Sequence, residues 1–106
     1  MKEKEIIGET LKFLKSSKPL TELDDFIVWQ PPFYGKLRTD IFGVFDLVLV
    51  FRSGGVYFLQ CTTYANRAAR RRKICNFFEE VKMKVPNSYI FAWDEKVKSF
   101  VVERVD

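Results

Sequence analysis

Two hydrophobic rhythms divide this chain. Residues 2–15 place Ile6, Ile7, Thr10, Leu11 and Leu14 on one side, the three- and four-residue spacing of an amphipathic helix. Ser16, Ser17 and Pro19 end it. Residues 26–30, FIVWQ, predict a strand that Pro31 and Pro32 stop, and the segment to Arg38 reads as a loop. Residues 45–51, FDLVLVF, are apolar almost throughout, which predicts a central strand covered on both faces. The tight turn Ser53-Gly54-Gly55 then leads into residues 56–62, VYFLQCT, the returning arm of a hairpin.

A helical rhythm resumes from about Ala65 to Lys82, where Ile74, Phe77, Phe78 and Val81 recur at the spacing of one face. Pro86 and Asn87 break it. SYIFAW at 88–93 is a fourth strand, Asp94-Glu95-Lys96 turns the chain, and Ser99–Val105 forms a fifth, edge strand blunted by charge. The predicted order is α-β-β-β-α-β-β: one α/β domain over residues 1–106, with a mixed central sheet flanked by helices.

Composition narrows the class. Apolar residues make up 47% and aromatic residues 16%, so a stiff aromatic core is expected and disorder is not. No apolar run approaches a membrane span, and MKEKEIIGE is too acidic and too broken for a signal peptide. Cys61 falls in a buried strand and Cys75 in a helix, which is neither a disulfide framework nor a zinc pattern, so a reducing, cytoplasmic setting is expected. There is no His. That removes the commonest general base and the Ser-His triads, and leaves hydrolytic chemistry to carboxylates, Lys, Tyr or a hard metal held by oxygen. The net charge is +4, but residues 67–73, RAARRRK, place five cations in seven positions, which suits a polyanion or a solvated helix face.

One constellation interrupts the apolar pattern. Asp46 stands near the start of the most hydrophobic strand and by alternation shares a face with Val48 and Val50. Across the hairpin, Gln60 and Thr62 share a face with Phe58. A tight turn at 53–55 sets the Asp46 end of one strand beside the Gln60–Thr62 end of the other. Each residue alone reads as structural: Asp46 as a turn cap, Gln60 and Thr62 as ordinary strand polars. Three polar groups converging where core is expected form a site candidate.

Asp46, a hairpin, then Gln60-Cys61-Thr62 resembles the core of the PD-(D/E)XK nucleases, which carry an Asp, a hairpin and a Glu/Asp-x-Lys. The order of elements matches over most of the chain. TDIFGVFDLVLV followed by FLQCTT looks especially like a phage and prokaryotic branch with a Gln-x-Thr form of the motif, and archaeal Holliday-junction resolvases share the layout. The resemblance implies a restriction-endonuclease-like fold and a Mg²⁺- or Mn²⁺-dependent endonuclease acting on DNA, including branched DNA in recombination and repair. Asp46 would be the central metal ligand, Gln60 a second through its amide oxygen, and the Cys61 carbonyl a third, with Asp40 adding a carboxylate. Glu3 matches the helix-one Glu, with Glu9 the alternative.

Thr62 stands where the family has Lys. By helical phase Arg67 and Arg70 continue the stripe of Ile74, Phe77 and Val81, and either would take the lysine's part toward the phosphate. Arg71, Arg72 and Lys73 turn outward or to the flank, toward phosphate or solvent. Tyr34, Lys36 and Arg38 read first as a flexible polar loop and otherwise as contacts to nucleic acid, and Trp29 and Trp93 read as core rather than as base-stacking platforms. A homodimer is expected, since branched substrates offer two strands to cut; no membrane and no nucleotide cofactor are expected. Two other functions compete: a DNA-binding module of this fold without catalysis, which the Gln-x-Thr motif favours, and a protein-interaction factor whose RAARRRK meets an acidic partner.

Overall fold

The computed structural model describes residues 2–17, 25–31, 33–34, 37–38 and 40–106. Its main sheet is mixed and five-stranded, with a helix on each face, in the order that the hydrophobic rhythms predict. Helix α1 spans Glu3–Ser17, β1 Phe26–Trp29, β2 Phe33–Tyr34, β3 Leu37–Arg38, β4 Leu47–Phe51 and β5 Val56–Thr63. A 3₁₀ turn at Tyr64–Asn66 leads into α2, Arg67–Val81, followed by β6, Ser88–Asp94, and β7, Ser99–Arg104. The main sheet runs β1-β4-β5-β6-β7, antiparallel except for the parallel pair β5–β6 that α2 connects. The stretch read as a loop holds one small addition, the two-residue ladder β2–β3.

Side-chain alternation sorts the core into two layers. On one face Leu47, Leu49, Phe51, Tyr57, Leu59, Cys61 and Phe91 pack against Ile6, Ile7 and Leu14 of α1. Thr10, at the centre of that helix stripe, is fully buried and satisfies its hydroxyl on the Ile6 carbonyl at 2.7 Å. On the other face Ile90 and Ala92 pack against Ile74 and Phe78 of α2, with Val44, Phe45 and Val85. Helix α2 stops at Lys82, which takes the left-handed conformation (φ 60°) and returns its N–H to the Phe78 carbonyl. Its end therefore precedes Pro86.

The sequence pattern places β4 at the centre of the sheet, but that position belongs to β5. β4 lies one strand from the edge, and its second face is only partly covered: Val48 is half-buried and Val50 exposed. Beyond it β1 forms an edge whose Ile27 and Trp29 are 72% and 56% exposed. Trp29 is therefore not a core residue, contrary to its reading from sequence. Near the chain's end, the Asp106 carboxylate accepts the backbone N–H groups of Asn87 and Ser88 and bonds Arg104, tying the start of β6 to the end of β7.

Candidate functional site

The site follows from a mismatch in strand length. β4 enters the ladder at Leu47, opposite Leu59, whereas β5 runs on to Thr63. Residues 60–63 therefore pair with β6 on one side and with no strand on the other, among the described residues. Asp46, fully buried, fills that gap. Its backbone N–H donates to the Leu59 carbonyl at 2.8 Å, and its Oδ2 accepts the Cys61 N–H at 2.8 Å. The carboxylate thus stands in for a missing strand carbonyl. Burying an ionised carboxylate is costly without such a donor. Asp46 lies at a bend rather than within the strand, so its carboxylate turns along the sheet toward Cys61; alternation from Val48 does not set its direction.

Gln60 and Thr62 are both buried on the α2 face. The Gln60 amide nitrogen lies 3.4 Å from the Cys61 carbonyl. Asp46 and Gln60 therefore converge on the two polar atoms of one residue, Cys61, as the sequence pattern anticipates. Asp40 joins them through a tight turn. Ile41 and Phe45 form an antiparallel bridge, which returns the chain so that Asp40 and Asp46 flank the same pair. Phe42 (φ 55°) and Gly43 (φ 76°) make that turn. A bulky residue with positive φ is strained by roughly 1 kcal/mol or more. Phe42 is held there by rings, stacking on Phe77 at 5.8 Å and lying 5.9 Å from Phe58.

Of the two helix-one carboxylates expected at the site, Glu9 is the one whose side chain is described. The Glu3 side chain and Lys36 lie outside the described residues, as do the side chains of Tyr34 and Arg38. Glu9 pairs with Lys12 at 3.2 Å, and α1 packs on the sheet face opposite Gln60 and Thr62.

Helix α2 divides its cations. Arg67 lies in line with Ile74 and Phe78 at the first turn, half-buried, its guanidinium carbon 4.5 Å from the centroid of the Tyr64 ring. Its Nε is buried with no hydrogen-bond partner among the described residues. Arg70 is half-buried and by helical phase shares the flank of Phe77, the side toward β4, β5 and Asp46. Arg71 lies on the opposite flank and forks onto Glu103 of β7, its Nη2 at 2.7 Å and its Nε on the second carboxylate oxygen. One cation read as phosphate- or solvent-facing is thus bound within the fold. Arg72 and Lys73 are exposed.

The fork holds Glu103 below the ordinary carboxylate range, first through the Arg71 hydrogen bond and further through the charges of Arg71 and Arg67; burial pulls the other way. A lowered carboxylate pKa contributes stability above the unfolded value, near 4.3 for Glu, that is lost as pH falls through the folded value. Melting curves between pH 6 and roughly pH 3 should therefore show a steeper acid decline for the native chain than for Glu103→Gln. Parallel declines would show that the pair contributes nothing to folding.

Oxygen donors dominate the Asp46 end: two carboxylates, one amide and one backbone carbonyl. That set fits a hard divalent cation in kind. It is thin in charge, and no group of three or more His, Cys, Asp or Glu side chains that could hold a metal ion occurs among the described residues. Sequence reasoning missed Phe42, Tyr64 and Glu103, whose roles depend on turn conformation and strand register. Scans against protein-family models, curated proteins and solved structures returned no match to this chain. No helix among the described residues is long and apolar enough to cross a membrane.

Proposed function

We propose that the chain is a Mg²⁺- or Mn²⁺-dependent phosphodiesterase acting on DNA, in keeping with its resemblance to the PD-(D/E)XK nucleases. The observation that carries this reading is the convergence of Asp46 and Gln60 on Cys61 at the end of a strand pair, with Asp40 returning beside Asp46. Asp46, Asp40, the Gln60 amide oxygen and the Cys61 carbonyl would hold the cation, which supplies charge neutralisation at the phosphate and an acidified water. The chain's own cations bind and orient the phosphate. Of the two arginines that the sequence offers for the missing lysine, Arg70 is the better placed, because it lies on the Asp46 side of α2 whereas Arg67 lies over Tyr64.

Incubation with single-stranded, nicked and four-way-junction DNA in Mn²⁺ tests the reading. Cleavage of at least one of these is expected, and a folded sample that cuts none of them sinks it. Arg70→Ala should slow cleavage by about tenfold or more, the loss of one charge-assisted phosphate contact, with a smaller effect for Arg67→Ala. Unchanged rates in both variants would remove the arginines from the chemistry.

A second reading is a DNA-binding module without catalysis. It is favoured by the bonds that already commit Asp46 Oδ2 and the Gln60 amide nitrogen to Cys61. It predicts salt-sensitive binding, no cleavage, and indifference of binding to changes at Asp46. A reducing, cytoplasmic setting suits either reading, since Cys61 is buried, Cys75 is exposed and neither is in a disulfide. The exposed apolar edge at β1 is the surface on which the expected homodimer would form.

A further inference from the structure

We propose that the cleft between Tyr64 and Trp93 binds an unpaired nucleobase, which makes DNA with a single-stranded or extruded nucleotide the substrate class. The inference rests on the nucleic-acid reading above and deepens it. In open α/β sheets, ligands bind at the carboxyl ends of parallel strands. β5 and β6 are the parallel pair in this sheet, and Thr63 and Trp93 are partners at that end. Tyr64 leaves the strand immediately afterwards. The resulting cleft of about 390 Å³ is lined mainly by apolar surface, with Tyr64, Ala65 and Trp93 among its walls. That volume lies at the small end of ligand pockets, the scale of a base with part of its sugar rather than a whole coenzyme.

Both rings are held in place. The Trp93 ring meets Phe100 edge-on at 5.1 Å, and its indole N–H donates to Glu95 at 2.6 Å. The Tyr64 ring is backed by the Arg67 guanidinium, yet the residue remains 44% exposed. The cleft wall also carries Asp94, Glu95 and Lys96; Glu95 pairs with Lys98 and accepts the indole N–H, and Asp94 accepts the Lys96 backbone N–H at 3.0 Å. Two aromatic surfaces at one cleft, one of them backed by a guanidinium, are the combination that captures bases from single strands. Paired bases in a duplex have both faces covered by stacking, so only an unpaired or extruded base can enter. Thr63 lies three positions beyond Gln60 on β5, roughly 10 Å along the strand, so a base in the cleft would lie at the same end of the sheet as Asp46 and Gln60.

The test uses a Trp29→Phe background, in which Trp93 is the sole indole, and two probes without metal: a thymidine oligonucleotide and an oligonucleotide of the same length with abasic sites throughout. The thymidine strand should quench Trp93 and bind more tightly than the abasic strand. Tyr64→Ala should weaken thymidine binding by about tenfold or more while leaving abasic binding unchanged. Tyr64→Phe, which keeps the ring, should restore it. Equal binding of both probes with no effect of Tyr64→Ala would overturn the base site and leave the nucleic-acid reading standing. No binding of either probe at low salt would overturn both.

Discussion

Asp46→Asn should fold almost as the native chain does and cut DNA about 100-fold more slowly or worse, whereas Asp46→Ala should lose folding stability as well as activity. The difference comes from two tasks, the hydrogen bond that the geometry shows and the metal binding proposed for the same carboxylate. As a hydrogen-bond acceptor, Asp46 satisfies the Cys61 N–H where β4 has ended and, among the described residues, no strand continues the ladder. An asparagine carbonyl oxygen can accept the same hydrogen at the same length; alanine leaves a buried donor unpaired, a loss of about 1–3 kcal/mol. As an anion, Asp46 is the buried charge on which a divalent cation would depend, and Asn removes that charge without removing the acceptor. Losing several kcal/mol of metal-borne stabilisation slows a reaction by at least two orders of magnitude. Thermal melting and Mn²⁺-dependent cleavage of the three proteins separate the tasks. An Asp46→Asn protein that melts and cuts like the native chain would reduce Asp46 to a structural cap.

Much of this arrangement was legible in the sequence because hydrophobic period reports secondary structure directly. The stripes of α1 and α2 and the hairpin at 53–55 need no tertiary information, and the hairpin alone brings Asp46 toward Gln60. What escaped depends on contacts between segments far apart in the chain. An apolar run such as LVLVF shows that a strand is largely buried, not which neighbours it has, so β4 read as central although β1 leaves it beside an edge. Arg71 sits on the margin of the helix stripe, where phase alone cannot distinguish solvent from a partner; only the β6–β7 register places Glu103 beneath it. Phe42 gives no local sign of positive φ, since its neighbour Gly43 is the residue that normally makes such turns. Tyr64 and Trp93 line one cleft only because β5 and β6 are parallel and end together.

If Asp46 and Gln60 hold a cation as proposed, Gln60→Glu should make metal binding govern folding. Gln60 is buried beside Asp46, so a glutamate there places a second carboxylate in a space that now holds a neutral amide. Without metal, two carboxylates crowding one buried end repel each other and lose hydration. The new group's pKa is pushed up, so its destabilisation is small in acid and grows as pH rises through neutrality. At pH 8 the cost should be about 3 kcal/mol, or roughly 15 °C in Tm for a domain of this size. A divalent cation reverses the sign of the local field. Bound only by the folded state, Mn²⁺ at about 100 times its dissociation constant restores about 2.7 kcal/mol, nearly the whole deficit, while the native chain with its amide gains much less. Mn²⁺ titrations followed by melting temperature distinguish the outcomes. Recovery that is specific to Gln60→Glu and abolished by adding Asp46→Asn would locate the cation between the two residues. A variant that is destabilised but indifferent to Mn²⁺ would mean that the Asp46–Gln60 end is a polar seam closing the sheet, and the binding module without catalysis would become the function to pursue.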